Sequence, residues 1–576
     1  MSLKATITRE NDKNECYVIQ KKYDVHDGQY GIWDSKDNSF IFVPKGSAVY
    51  ISRIVNCIDS GEKLLDLFFY DAHGARVDIT LPRKELTEQG IMVLLAFGVQ
   101  VLKQDAKILI ASILNQEPSA HYVLQHETLG FSRYDARTIF LAKNAIGVKS
   151  AYSGKLQIGK VGSYKVWKKM VKEEVIGNIP LEFILAVAGS GVLVDYLRER
   201  IQVENVVVSM VGESSSGKST AGLFLVSCGA KPSFQGDSLV LNFSDTPNAL
   251  MASIPSSYPV LIDEGSLIRY KPTSLLYSLS MGKERNRLDK ELKKAESAYF
   301  STAIAITSEK SLINLADDNT GLLVRILEIE NVVWTKDAQS ADSIKYTVCS
   351  NYGWLIPRLA KEILAFDSSE DNEILTVYKQ WYDHLVNRAI EQGTYNSLTE
   401  RACKQYALIM LSASLIQMVM DIELHEDELV EFIEEHSPVK EADRADIGSR
   451  ALIYLMQYIT KYYTQFILPD DDTFTPQNCL GKIQKVKTST LKNGESYSRR
   501  LYVSDVTLEK ILREGNFPDK KVILKRWKEL GILKCEKDRY LSDIVIVNGM
   551  SVKGYIINLP EMEEEEIDDG KRGMKK

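Results

Sequence analysis

One stretch, VVVSMVGESSSGKSTAGLFL starting at Val206, constrains this chain more than any other. Val206, Val207, Val208, Met210 and Val211 read as a short buried strand. Gly212-x4-Gly217-Lys218-Ser219 follows at once, and Ala221 to Val226 continue in an apolar helical pattern. Such a unit folds its glycine-rich turn so that successive backbone N–H groups face one anion, with the positive end of a helix behind them. The spacing predicts a phosphate-binding loop made of Gly212, Glu213, Ser214, Ser215, Ser216, Gly217, Lys218, Ser219 and Thr220. Lys218 is expected to reach the β- and γ-phosphates of ATP, and the Ser219 hydroxyl to ligate Mg²⁺. A chance glycine-rich turn is the plain alternative. The strand before and the helix after argue against it.

Further along, SSYPVLIDEGSLI carries an apolar strand, Pro259 to Ile262, ending in Asp263 and Glu264, 45 residues beyond Lys218. A carboxylate at the tip of a neighbouring strand can hold Mg²⁺, and an adjacent glutamate can polarise an attacking water. Asp263 is assigned to the metal and Glu264 to the water; a solvated turn is the bland alternative. A third strand, Tyr299 to Thr307, ends in Thr307, Ser308 and Glu309, where Thr307 or Ser308 would orient that water. In NTGLLVRILEIE, Arg325 interrupts an apolar run, which is costly unless its charge meets a partner. It either pairs with Glu328 or Glu330 on the surface or serves as an arginine finger to a neighbouring subunit's γ-phosphate.

The segment from Gly162 to Thr220 resembles a family of helicase-like ATPases of phages, plasmids and genomic islands, long catalogued as a domain of unknown function. Its marks are a helix centred on Trp167, the helix start Asn178, Pro180, Leu181, an apolar helix of small residues, and the loop residues Gly212, Ser214, Ser215, Gly217, Lys218 and Ser219. A later G-x-x-V-R strand is matched by Gly321, Val324 and Arg325, and an Arg-initiated helix by ERACKQYALIML, with Arg401 as a second sensor. The likeness covers roughly residues 100 to 560 and is strongest to the MCM-like Rep and Cch-type helicases of staphylococcal mobile elements. It implies an AAA+ ring ATPase that loads itself at a replication origin. The family's S-T-G-E sensor reads Ile306-Thr307-Ser308-Glu309 here, a departure that leaves the acting side chain open.

The expected class is an α/β P-loop NTPase (AAA+) core with a helical lid, an α+β N-terminal part and a C-terminal winged-helix domain. Residues 1–155 read as short strands and turns, with amphipathic helices over LLAFGVQVL and QDAKILIASILNQ; residues 156–335 form the ATPase core. Residues 336–440 form the helical lid over the nucleotide, 441–560 the winged-helix region, and 561–576 an acidic, then basic tail read as disordered. In the winged helix, TLEKILREG and VILKRWKELGIL read as two helices followed by strands, a helix-turn-helix-then-hairpin order. Lys520, Lys521, Lys525, Arg526 and Lys528 cluster on the second helix, with Val522, Leu524, Trp527 and Leu530 as its buried stripe. Duplex DNA contact is expected, with protein interaction as the alternative; the basic stretch GKIQKVKTSTLKNGESYSRR is a candidate for the same surface. The insert MGKERNRLDKELKKAESAYF presents Lys283, Arg285, Arg287, Lys290, Lys293 and Lys294. In MCM-like ATPases such an insert is a hairpin in the ring channel, where basic groups track a single strand's phosphates. A surface helix with Glu/Lys pairs is the alternative.

Composition agrees. In 576 residues, seven scattered cysteines without a C-x-x-C pair argue against disulfides and zinc. No signal-peptide pattern opens the chain, and no unbroken run of eighteen apolar residues occurs, so neither export nor a membrane span is expected. The net charge of −7 owes much to EMEEEEIDD near the end. These features predict a cytoplasmic, ATP- and Mg²⁺-dependent helicase acting on single-stranded and duplex DNA as a homo-oligomer, a hexamer by resemblance. An origin-binding initiator that melts DNA without processive unwinding, and an ATP-binding switch with no motor activity, remain the other readings.

Overall fold

The structure, a computed structural model, describes residues 5–8, 23–26, 29–34, 37–42, 47–268, 270–283, 299–316, 320–367, 373–437, 447–469, 476–492, 494, 496–515, 517, 519–536, 539–547 and 551–560. Two compact units emerge, one of residues 1–317 and 324–437, the other of 318–323 and 438–576.

At the centre of the first unit lies a parallel five-stranded sheet. Its order is Val240–Asn242, Val260–Asp263, Ala303–Ser308, Val206–Val211, Ile326–Glu330. Every residue of Val206–Val211 and of Ala303–Ser308 is buried, as sequences covered on both faces require. The third strand begins at Ala303 rather than Tyr299, because Tyr299 bridges Lys283 at the neck of the basic insert. Asp263 closes its strand two strands away from the loop strand, about 10 Å across the sheet. That spacing leaves room for a ligand between them at the carboxyl ends.

Helix Ile179–Ile201 packs on the sheet and on helix Ser397–Met420. Its Gly-Ser-Gly turn explains how both sides come close. A Cβ on Gly189 would stand 2.3 Å from Ser412 Oγ, and one on Gly191 2.9 Å from the Ala303 nitrogen. Trp167, fully buried, donates from Nε1 to Ser227 Oγ at 3.3 Å and stacks on Phe224, tying its helix to the one that follows the loop. These two long helices, Ile179–Ile201 and Ser397–Met420, are long and apolar enough to cross a membrane. Their apolar windows are 83% and 72% buried by the rest of the unit.

Ahead of the core, a six-stranded sheet carries helix Ala106–Gln116. The helix expected over LLAFGVQVL is instead a 3-10 helix, Gly90–Phe97, stopped by Gly98 at φ +101°. Behind the core, the helices Ile356–Asp367, Glu373–Glu391, Ser397–Met420 and Glu426–Glu435 follow the 3.6-residue pattern. Helix Ala338–Ser350 opens the stretch expected to be helical.

The second unit centres on helices Asp505–Glu514 and Lys520–Leu530, packed on helix Ile447–Lys461 and on a sheet that includes Gly481–Thr490, Ser496–Ser504 and Ser551–Pro560. Ser504 caps the first helix through Thr507 N, Asp519 caps the second through Val522 N, and Gly531 at φ +79° ends it. The buried stripe is Ile523, Leu524 and Trp527; Val522 is 46% exposed, so its place in that stripe is corrected. The tail 561–576 lies outside the described residues.

Candidate nucleotide site

The loop between Val206–Val211 and helix Lys218–Ser227 needs backbone angles that most residues avoid. Gly217 sits at φ +89° and Ser215 at φ +73°. A Cβ on Gly217 would lie 2.9 Å from Thr335 Oγ1. The Lys218 ammonium is buried at the centre, donating to the carbonyls of Gly212 at 2.8 Å and Glu213 at 2.6 Å. Burial lowers its pKa, while the charges of Glu309 and Asp263 act in the opposite sense. The cleft in front of the loop holds about 680 Å³. Ser214, Ser215, Gly217, Lys218, Ser219 and Thr220 line it, whereas Gly212, Glu213 and Ser216 do not.

Across the cleft stand Asp263, Glu264, Thr307 and Ser308. Thr307 Oγ1 donates to Asp263 Oδ1 and accepts from the Glu264 backbone N–H at 3.1 Å, so one hydroxyl fixes both acidic residues. Ser308 Oγ instead donates to the Lys310 carbonyl at 2.6 Å, closing its own turn. Glu264 is held at φ +61°, a strained setting for a non-glycine residue, and Oε2 accepts from Asn242 Nδ2 at 3.1 Å. Glu309 Oε1 accepts from Ser214 Oγ at 2.6 Å, bridging the third strand to the loop.

Several contributors escaped sequence reasoning. Asn242 has no local motif; only the neighbouring strand's position reveals it. Thr335, Lys336, Asp337 and Lys345 form the cleft's far wall. That wall is fixed by Trp334, whose backbone N–H donates to the Ser216 carbonyl at 2.8 Å, and by Asn178 Nδ2, which donates to the Trp334 carbonyl at 3.0 Å. Asn178 is one of the residues that carry the family resemblance, and this bond gives it a task. The helices between 356 and 435, expected over the nucleotide, do not line this cleft; of that region only residues 336–345 do.

Arg325 and Arg401 are not in the cleft either. Arg325 precedes strand Ile326–Glu330, and its Nε lies 3.2 Å from Glu204 Oε2; Arg401 Nη2 is 3.9 Å from Glu204 Oε1. The surface pairing with Glu328 or Glu330 is thus corrected. Glu328 is buried and accepts from the Ser311 hydroxyl and the Leu312 N–H.

Of the basic residues assigned to DNA, Lys283 lies at the insert's neck, its ammonium 5.5 Å from the Tyr299 ring centre. Arg285, Arg287, Lys290, Lys293 and Lys294 lie outside the described residues. On the second helix, Lys521 and Lys525 are exposed. Lys520 instead donates to Asp505 Oδ1 and Glu509 Oε2, both at 2.8 Å, which fastens the two helices together. Arg526 pairs with Glu529 at 3.2 Å, and the Lys528 ammonium lies 5.5 Å from the Tyr540 ring centre.

Fold and cleft together define an α/β protein whose glycine-rich loop and strand-end carboxylates face one another, followed by a C-terminal helix-turn-helix. The sequence model described as a domain of unknown function (DUF927) matches residues 29–296, and the one described as the Cch helix turn helix domain matches residues 446–562. Both bear out the resemblance to the Cch-type family, and the first begins well ahead of residue 100, where the likeness was first read. A solved structure titled "SCCmec type IV Cch - active helicase" is similar at TM-score 0.73 and 18% identity, over 94% of this chain and 98% of that one. At that identity the likeness is one of fold. No curated protein matches the chain.

Proposed function

We propose that the chain is an ATP-dependent DNA helicase of a mobile genetic element, built as an MCM-like AAA+ P-loop ATPase with a winged-helix C-terminal domain. It works in the cytoplasm as a hexameric ring on single-stranded DNA and loads itself at an origin. The observation that carries the reading is the convergence of Lys218, Ser219, Asp263, Glu264 and Thr307 on one cleft. The group expected there is Mg²⁺–ATP, and the donor set suits it. Backbone N–H groups at a helix start and the Lys218 ammonium match phosphates; Ser219 and Asp263 offer the oxygen ligands that Mg²⁺ takes. Bound ATP supplies the phosphoanhydride whose hydrolysis drives movement.

In this reading Lys218 turns from the carbonyls of Gly212 and Glu213 to the phosphates. Glu264 accepts a proton from the attacking water, and Asn242 and Thr307 hold the Glu264 side chain and backbone in position. Thr307 also orients Asp263. Arg325 and Arg401 act on a neighbour's nucleotide. Lys521 and Lys525 contact duplex DNA, while the lysines and arginines of the insert from Lys283 to Lys294 follow single-strand phosphates in the channel.

Two measurements test this. ATP hydrolysis by the wild-type chain is expected to rise on adding single-stranded DNA; an unchanged rate would favour a switch without motor activity. Arg325→Ala is expected to bind ATP yet lose hydrolysis by roughly a thousandfold. Mixing it with Lys218→Ala chains should restore part of the activity, and no recovery from two folded variants would remove the trans role.

A further inference from the structure

The cleft of about 680 Å³ has two ends, and the strand order distinguishes them. Strand Val206–Val211 lies between Ala303–Ser308 on one side and Ile326–Glu330 on the other. Thr307 and Ser308, with Asp263 one strand further out, stand on the first side. The residues after Ile326–Glu330 form the opposite wall, from Val333 into helix Ala338–Ser350. A run of phosphates whose reacting end faces Asp263 and Glu264 therefore carries its nucleoside toward the second side.

Helix Ala338–Ser350 turns one face to that end. Ala338, Ala341, Asp342 and Lys345 line the cleft at i, i+3, i+4 and i+7, while Ser340, Ile344 and Val348 are buried on another face. The start of the helix is held by bonds that occupy its first charged residues. Asp337 Oδ1 accepts from the Ser340 N–H at 2.7 Å, the Lys336 ammonium donates to the Glu173 carbonyl at 2.8 Å, and Ser340 Oγ donates to Glu174 Oε2 at 2.6 Å. Asp342 and Lys345 are different. Both are exposed at the cleft, and among the described residues no hydrogen bond or ion pair occupies either side chain's charged group.

The chemistry of that face suits a sugar and a base. A ribose offers two adjacent hydroxyl donors, and an ionised carboxylate accepts only, through two oxygens, so the two match in number and in direction. An acidic residue recognises the ribose of a dinucleotide by the same pairing. A deoxyribose has lost one of those donors. Beside Asp342, Ala338 and Ala341 carry nothing beyond Cβ, and with Val333, 68% exposed, they leave a shallow apolar shelf for the flat face of a base. Lys345, one turn beyond Asp342, offsets its charge, so the wall does not repel the phosphates.

We infer that this helix reads the sugar: Asp342 accepts hydrogen bonds from the ribose hydroxyls, and the chain takes ribonucleotides in preference to deoxyribonucleotides. This rests on the nucleotide reading of the cleft, and adds to it the sugar that is selected and the residue that selects it.

The probes are ADP, 2′-deoxy-ADP and inorganic tripolyphosphate, each titrated by calorimetry with Mg²⁺ into the full-length chain. None of them requires turnover, so the assignment of Glu264 does not enter. The wild-type chain is expected to bind ADP roughly tenfold more tightly than 2′-deoxy-ADP, the low end for a hydrogen bond to a charged group because Asp342 is exposed. Asp342→Ala should weaken ADP to the level of 2′-deoxy-ADP and leave 2′-deoxy-ADP and tripolyphosphate as they were. Ala341→Leu, which fills the shelf, should weaken both nucleotides and spare tripolyphosphate, whose unchanged binding also shows that the variant is folded. Equal affinity of the wild-type chain for ADP and 2′-deoxy-ADP, or a preference that survives Asp342→Ala, overturns the inference and leaves Asp342 a solvated acid. Nucleotide binding untouched by Ala341→Leu overturns it as well, by taking the nucleoside off this wall. Failure of the wild-type chain to bind either nucleotide would instead remove the nucleotide reading itself, and this inference with it.

Discussion

At the scale of single residues, the site turns on Glu264 and its restraints. A left-handed backbone and a bond from Asn242 aim one carboxylate at the cleft. Glu264→Gln should bind ATP with near wild-type affinity and stop hydrolysing it, because Ser219 and Asp263 keep their places. Asn242→Ala should leave affinity unchanged and lower turnover by roughly tenfold, the scale of a lost orienting contact. Nucleotide binding by fluorescence and phosphate release under the same conditions check both; an Asn242→Ala rate equal to wild type would leave that bond a structural one. Lys218, Ser219, Asp263 and Glu264 were legible because loop and strand-end chemistry is written in consecutive residues. Asn242 and Thr335 were not. Each reaches the site across the sheet or from a distant loop, a relation no local spacing records.

Asp195 shows the same limit from another side. It sits in the apolar helix Ile179–Ile201, yet its Oδ2 accepts from the Phe131 N–H at 2.8 Å and the Ser257 hydroxyl at 2.6 Å, and burial pushes its pKa up to about 7. An acid whose pKa is raised on folding contributes stability that is fully present below its unfolded value near 4 and is lost as pH rises through about 7. Asp195→Asn should therefore flatten the fall in Tm between pH 4 and pH 7 relative to wild type. A fall as steep in the variant would assign it to other groups.

Among elements, the helix-turn-helix divides its lysines between two jobs. Periodicity placed the helices correctly but could not tell which lysines meet solvent. Lys520 is drawn onto Asp505 and Glu509 of the preceding helix, and Lys520 holds both carboxylates below their usual pKa. Lys520→Ala should lower stability by about 1 kcal/mol, as a partly exposed ion pair does, with little change in duplex affinity once folded. Lys521→Ala with Lys525→Ala should do the reverse. Binding should weaken, and the log–log salt dependence should flatten by about 0.9 for each lost phosphate contact. Fluorescence anisotropy on duplex DNA across a salt series separates the two; an equal loss per lysine in both variants would make Lys520 a DNA contact after all. The long helices were read as a cover for the nucleotide for a related reason. Their apolar faces were clear, but a face does not name its partner, and in the fold two of them, Glu373–Glu391 and Ser397–Met420, wall a separate cavity of about 360 Å³ instead.

For the molecule as a whole, the proposed function joins the parts in one cycle, in which the cleft on the parallel strands would turn over ATP, Arg325 and Arg401 would act on a neighbour's nucleotide, and the C-terminal unit would engage duplex DNA. The parallel core was legible from its continuous buried strands, and the short N-terminal strands were legible too; what that part does was not, because short strands with mixed exposure carry no chemistry of their own. The most direct test is strand displacement on a forked duplex with ATP, wild type beside Glu264→Gln. The account predicts displacement by the wild-type chain and none by Glu264→Gln, although that variant still binds ATP and the fork. Displacement by the variant at the wild-type rate, or by the wild-type chain without ATP, would contradict it.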